Sequence, residues 1–348
     1  MQYCYHSKHS QPRHYLITIM LKRILLFASI PLSVFLIFKL VSFTEAVVIP
    51  DRQGPPPDHS YRVYSLIIPE DLNFAGEPVP VDNFEVRERF DRELLVNSYW
   101  QSQTILFFKR ANRWFPVIEP ILAEEGIPDD FKYLALIESG LMNVVSPAGA
   151  AGYWQILQAT GRELGLEVNN EIDERYHVEK STRAAAKFLR SAFNLYDSWT
   201  SAAAAYNMGR AGFNRMISNQ QQQSYYDLWL NDETSRYVFR ILAIKTIFED
   251  PLQYGFALSQ EDLYHPYEYY TVQVNDPTVD WVDFSHKHQI TYKELRTLNP
   301  WIRRSELNNS RRNTYEVLIT RESLFGREPQ IIVREDDLQD DSMLPDAP

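Results

Sequence analysis

"KYLALIESGLMN", residues 132–143, sets a single carboxylate, Glu138, near the end of a helix-like run that is otherwise mostly apolar. Phe131, Leu134, Ala135 and Glu138 fall at i, i+3, i+4 and i+7, so the glutamate projects from the face that carries the apolar anchors. Asp129 and Asp130 are placed to cap the start of this helix, and Gly140 to end it. A carboxylate held against an apolar wall loses hydration in its charged form, which raises its pKa. A raised pKa is what a general acid needs near neutral pH. Tyr133, Leu136 and Ile137 make the helix apolar nearly all round, however. From this stretch alone a structural or surface glutamate is the simpler reading.

The neighbouring segments change the balance. "SPAGAAGYWQI", residues 146–156, is rich in small residues and ends in Gly152, Tyr153, Trp154 and Gln155. Glycines there permit close backbone approach to a ligand, and a glutamine beside aromatic rings suits pyranose or N-acetyl recognition. A tight turn between helices would have the same composition. "AAAAYNMG" places Tyr206 and Asn207 at the end of a small-residue helix, where they serve either as a cap or as part of a site.

Taken together, E-S-G at 138–140, A-G-Y-W-Q at 151–155, A-Y-N-M-G at 205–209 and E-T-x-x-Y-V at 233–238 resemble the lytic murein transglycosylases of glycoside hydrolase family 23. The similarity covers roughly residues 80–250. It implies a mainly α, lysozyme-like catalytic domain with an N-terminal helical extension and a glycan cleft. Carried over by motif, it implies Glu138 as the catalytic acid with Ser139 as its companion. Gly152, Tyr153 and Gln155 would belong to the cleft, Tyr206 and Asn207 would contact sugar, and Tyr237 would stand close to the acid. Tyr153 and Met208 depart from the residues usual at their positions, which bears on subsites rather than on the acid. The implied reaction cleaves the β-1,4 bond between N-acetylmuramic acid and N-acetylglucosamine in peptidoglycan and leaves 1,6-anhydromuramyl ends. Glu163, Glu167 and Asp173 are the nearest downstream acids, and no motif marks any of them as a second catalytic carboxylate. This one-acid pattern favours a lytic transglycosylase over a lysozyme-like hydrolase of the same fold. A non-catalytic peptidoglycan-binding protein is the third alternative.

Residues 266–320 have a different character. "YYTVQV" (269–274) and "YEVLIT" (315–320) read as strands, separated by two short helix patterns. The second pattern opens on a capping box at Thr291 and Glu294. This small β-α-α-β unit resembles a degenerate LysM domain, a glycan-binding fold, through Val272, Val274, Ile290, Thr291, Leu295 and "LNP" at 298–300. "NDP" at 275–277 replaces the usual G-D-T, and a packing role that buttresses the catalytic domain is the alternative to glycan binding.

At the other end, Lys22 and Arg23 precede the uncharged apolar run "ILLFASIPLSVFLIF", residues 24–38. Residues 1–46 read as an export signal, either cleaved after Ala46 or retained as a membrane anchor. Charge before and after the run places the rest of the chain outside the cytoplasm, in the periplasm or cell envelope. Residues 47–80 read as a proline-rich linker. The transglycosylase domain with its helical extension spans 81–255, and 335–348 form an acidic disordered tail. Pro116 and Pro120 are expected to kink or divide the helical stretch before Gly126.

A net charge of −11 disfavours nucleic acid as a partner. The single cysteine, Cys4, excludes an intrachain disulfide or a cysteine metal site. The histidines lack paired ligand spacing, and His286 and His288 stand two apart on a helix pattern. The expected metal content is none, and no cofactor is expected. Peptidoglycan strands are the expected partner, with the membrane joined only through an uncleaved N-terminal segment. The cell-wall machinery offers no sequence signature here.

Overall fold

The computed structural model describes residues 63–326. The export signal, the first part of the linker and the acidic tail lie outside the described residues. Among those described, no helix is long and apolar enough to cross a membrane.

The chain enters through a minimal hairpin, β1 (Asn73–Phe74) and β2 (Glu77–Pro78). Helices α1 (Phe84–Tyr99), α2 (Gln101–Glu124) and α3 (Phe131–Ser139) follow. A non-helical loop leads to the short α4 (Gln158–Glu163), then α5 (Val178–Tyr196), α6 (Trp199–Met208), α7 (Arg210–Gln220) and α8 (Asp232–Glu249). The C-terminal unit runs β3 (Tyr269–Val274), β4 (Thr278–Asp280), α9 (Trp281–Lys287), α10 (Tyr292–Leu298), β5 (Glu306–Asn308) and β6 (Tyr315–Thr320). β3 pairs antiparallel with β6, and β4 with β5. The fold is thus mainly helical, with a small C-terminal unit in which the expected β-α-α-β frame of β3, α9, α10 and β6 carries a second short antiparallel pair, β4 and β5. The expected capping box is present: Thr291 Oγ1 accepts the Glu294 amide at 3.1 Å, and the Glu294 carboxylate accepts the Thr291 amide at 2.8 Å.

Helix α8 lies at the centre of the helical domain. Its sequence pattern reads as amphipathic, yet Tyr237–Phe239 and Ile241–Ile247 are buried without a break because α1, α3 and α6 pack around it. Two charged groups enter this core already paired. Glu93 of α1, only 1% exposed, receives Arg236 Nε at 2.7 Å. Lys245 reaches Asp130 at 2.8 Å and the Asn73 carbonyl at 3.0 Å. A charge removed from water needs such a partner, since alone it is strongly destabilising.

Three readings of the sequence are corrected. The end of the supposed linker belongs to the core: Leu72, Phe74 and Val79 are buried against the helices. Glu77 of the same hairpin caps α6, accepting the Thr200 amide at 2.9 Å and the Ser198 hydroxyl at 3.0 Å. Asp130 makes no capping bond to α3, because its carboxylate is taken by Lys245 and by the Ala75 amide at 2.6 Å. Pro116 and Pro120 do not divide α2. They stand four apart on its exposed side, where water can satisfy the carbonyls of Asn112 and Pro116 that lose their amide partners.

The helical domain and the C-terminal unit share structure at their junction. The core of the C-terminal unit, built on Trp281, Leu295, Trp301, Ile302 and Val317, also takes in Ala151, Ile172 and Tyr176 of the helical domain.

Candidate active site

Glu138 sits in the last turn of α3, which Gly140 ends by adopting the left-handed conformation at φ 61°. The helix terminus therefore delivers the carboxylate to the edge of a cleft of about 430 Å³. Burial raises the Glu138 pKa above the ordinary glutamate value, and the nearby carboxylate of Glu233 pushes it the same way. The Tyr237 hydroxyl and the Arg240 charge oppose that rise without cancelling it. The negative end of the α3 dipole also disfavours the ionised form.

Tyr237, on the buried side of α8, donates its hydroxyl to Glu138 Oε1. That bond occupies one carboxyl oxygen and leaves Oε2 as the oxygen able to carry a proton. Tyr237 is itself buried and its pKa is raised well above the usual tyrosine value by desolvation, so it stays a donor.

Residues 146–157 form one wall of the cleft, contributing Ser146, Ala148, Ala150, Gln155, Ile156 and Leu157. Gln155 adopts φ 47°, a left-handed conformation unusual for glutamine. Its side-chain amide holds that turn by donating to the carbonyls of Gly152 at 2.9 Å and Val144 at 3.1 Å. Across the cleft stand Phe188 of α5 with Tyr206 and Asn207 of α6. The Tyr206 hydroxyl donates to the Trp154 carbonyl at 2.7 Å, which ties the two walls together. Asn207 donates to Glu233 Oε1 at 3.1 Å and accepts from the Thr234 hydroxyl at 2.7 Å.

The structure brings together Glu138, Gln155, Tyr206 and Asn207 on the cleft surface, with Tyr237 directly behind the acid. The other residues named from sequence stand elsewhere. Ser139 is buried and donates to the Tyr153 carbonyl at 2.7 Å, so it anchors the cleft wall rather than lining the cleft. The Tyr153 ring is buried with its edge on Trp114 and faces a separate cavity at the junction with the C-terminal unit. Gly152 is held by packing: a Cβ there would lie 1.8 Å from the Arg175 carbonyl oxygen, and its φ is +79°.

Glu233 is the cleft residue that the sequence reading did not single out. Its place at the head of E-T-x-x-Y-V, four residues before Tyr237, puts it one helical turn from the acid's partner, and that spacing was the available signal. Glu163, Glu167 and Asp173 do not line the cleft. Asp173 is paired with Arg175, and Glu167 accepts the Tyr315 hydroxyl at 3.0 Å. Among the described residues no group of three or more His, Cys, Asp or Glu is arranged to hold a metal ion.

Comparison with known proteins follows the same division of the chain. Residues 116–228 match the family model of the transglycosylase SLT domain, and residues 270–323 match that of the soluble lytic transglycosylase C-terminal LysM-like domain. The chain is 28% identical over 246 residues to membrane-bound lytic murein transglycosylase D of Escherichia coli K12, with 68% of this chain and 53% of that protein covered. The protein of the same name from E. coli O6:H1 gives the same figures. The chain thus spans about half the length of these curated relatives. Among solved structures, an inactive mutant of lytic transglycosylase Slt from Pseudomonas aeruginosa aligns at a TM-score of 0.33 and 16% identity, over 53% of this chain and 36% of that one. The chain carries a transglycosylase SLT domain followed by a LysM-like domain of the soluble lytic transglycosylase type.

Proposed function

We propose that this chain is an exported lytic transglycosylase that cleaves the β-1,4 bond between N-acetylmuramic acid and N-acetylglucosamine in peptidoglycan, with Glu138 as the proton-transfer group. The observation that carries the reading is the Glu138–Tyr237 pair at the edge of the cleft. One carboxyl oxygen is held by a hydroxyl, and burial favours a proton on the other. The SLT-domain match and the relatives named for murein support the choice of substrate.

In the proposed reaction Glu138 Oε2 gives its proton to the glycosidic oxygen as the bond to the anomeric carbon breaks and oxocarbenium character develops. The carboxylate left behind then takes the proton of the muramyl C6 hydroxyl, whose oxygen bonds to the anomeric carbon and closes the 1,6-anhydro ring. No water is consumed, and Glu138 ends protonated as it began. The attacking hydroxyl belongs to the same sugar, so its effective concentration is high and no separate water-activating carboxylate is needed. In this reading the Gln155 side-chain oxygen accepts from, and the second amide hydrogen of Asn207 donates to, the N-acetyl and hydroxyl groups of sugars in the cleft.

A second reading rests on Glu233. Hydrolytic glycosidases use two carboxylates, and Glu233 is a second one in the same cleft. Its side chain is exposed and held by Asn207, which fits a group that tunes the acid and orients sugar. Digestion of purified peptidoglycan followed by mass analysis tests both readings. Anhydro-ended muropeptides are the expected products, and products heavier by one water would favour hydrolysis.

A further inference from the structure

The LysM-like domain is fastened to the helical domain chiefly along residues 167–177. The Asp173 amide donates to the Trp301 carbonyl at 2.9 Å, and the Arg303 amide donates to the Glu171 carbonyl at 2.7 Å. These bonds flank an antiparallel bridge between Ile172 and Ile302. The Glu171 carboxylate takes the Asn308 amide at 3.0 Å, and the Glu167 carboxylate takes the Tyr315 hydroxyl at 3.0 Å. Ile172, with no exposed surface, is counted in the core of the LysM-like domain. A tethered carbohydrate-binding module would need none of this, since a flexible linker alone keeps it close to the enzyme.

Within the fastened segment, the Arg175 side chain reaches the loop that walls the cleft. Arg175 is 8% exposed and Asp173 6%. The carboxylate of Asp173 receives Arg175 Nε at 2.9 Å and Nη2 at 2.7 Å, a two-pronged pair of fixed geometry. The remaining guanidinium nitrogen, Nη1, donates to the carbonyls of Gly149 at 2.9 Å and Ile156 at 3.1 Å. Those carbonyls stand on either side of the turn that carries Ala150 and Gln155 into the cleft. The main chain of Arg175 also bears on this loop, because its carbonyl occupies the space a side chain at residue 152 would need. Ala151, which pairs with Val145 and Ile156 inside the loop, is packed directly into the core of the LysM-like domain.

We propose that Arg175 is a positioning residue through which the docked LysM-like domain fixes the 146–157 wall of the cleft, so that this domain serves catalysis as a brace. The catalytic part of this inference rests on the proposed transglycosylase reading, whereas the mechanical part does not. A planar guanidinium is needed because one side chain makes four donations at once, two to the carboxylate and one to each of two carbonyls, whereas a lysine ammonium has three N–H groups.

Two full-length variants test the brace. Glu171→Ala with Tyr315→Phe removes two side-chain ties at the domain junction without touching the cleft. Arg175→Lys keeps the charge and removes the fork. Hydrogen exchange is read at the amides of Ala151, Gly152 and Ile156, which bond within the loop, with the amides of α8 as the control. Turnover is read on a soluble tetrasaccharide fragment of peptidoglycan. The expected result for both variants is exchange at least tenfold faster in the loop, unchanged exchange in α8, and kcat/KM on the fragment lowered about tenfold. Loop exchange equal to wild type in both variants overturns the brace. A loosened loop with full turnover on the fragment overturns its link to catalysis. If the wild-type protein cuts no fragment, the proposed reaction fails, while loop exchange still decides whether the LysM-like domain holds the wall.

Discussion

The hydroxyl of Tyr237 donates to Oε1 of Glu138, joining the second turn of α8 to the last turn of α3 at the back of the cleft. The bond favours the carboxylate form, while burial favours the acid. Tyr237→Phe removes the opposing influence, so the Glu138 pKa should rise further. The alkaline limb of kcat/KM should move to higher pH and kcat should fall about tenfold, a loss on the order of 1.4 kcal/mol that fits one charge-assisted bond. A pH–rate profile of the variant measures both.

Glu233, which lines the same cleft, pushes the Glu138 pKa upward. Glu233→Gln should therefore move the alkaline limb to lower pH, opposite to Tyr237→Phe, while anhydro products persist. If Glu233 activated water instead, the same variant would lose turnover on the order of a hundredfold or more. Product analysis and the pH profile of this one variant separate the two roles.

The raised Glu138 pKa also has a consequence for folding. Between its unfolded and folded pKa values the native chain holds the proton more tightly. Stability from Glu138 is therefore present at low pH and lost as pH rises through the folded value. Glu138→Gln avoids that loss and can still accept the Tyr237 hydroxyl through its amide oxygen. The variant should melt above wild type at pH 7, with the difference vanishing below about pH 4, near the unfolded glutamate pKa. Thermal unfolding at a series of pH values provides the measurement.

The hairpin that precedes the helices is tested by Glu77→Ala. Its carboxylate serves the N-terminus of α6, accepting from the Ser198 and Thr200 side chains as well as from backbone amides. Loss of a helix cap costs about 1–2 kcal/mol, visible as a lower urea midpoint at unchanged slope.

Gly152→Ala should be more severe. The added carbon would fall 1.8 Å from the Arg175 carbonyl oxygen, and the backbone is left-handed there. A loss on the order of 3 kcal/mol or more is expected, together with turnover, because the displaced segment is the cleft wall. Chemical denaturation beside an activity assay reads both effects.

What was legible in the sequence divides by range. Gly140 and the capping box at Thr291 act through neighbours a few residues away, and the strands at 269–274 and 315–320 stand where their local pattern put them although they pair with each other across the unit. Glu138 and its proximity to Tyr237 came from motifs, since ninety-nine residues separate them and no periodicity spans that distance. Asp130 was misjudged, and the packing roles of Gly152 and Ser139 went unread, for one shared reason. Each has a local explanation from sequence, but is claimed by a distant partner: Lys245, the Arg175 backbone and the Tyr153 carbonyl. The prolines of α2 were misjudged because their cost depends on which face they occupy, and only the packed structure fixes that. Glu233 was passed over because an acid in the first turn of a helix is also what the helix dipole prefers.

The most direct test of the account is digestion of purified peptidoglycan by the wild-type protein and by Glu138→Gln, with released muropeptides resolved by mass. The account predicts 1,6-anhydromuramyl ends from the wild type and no release from the variant. Products one water heavier from the wild type, or continued release by Glu138→Gln, would contradict it.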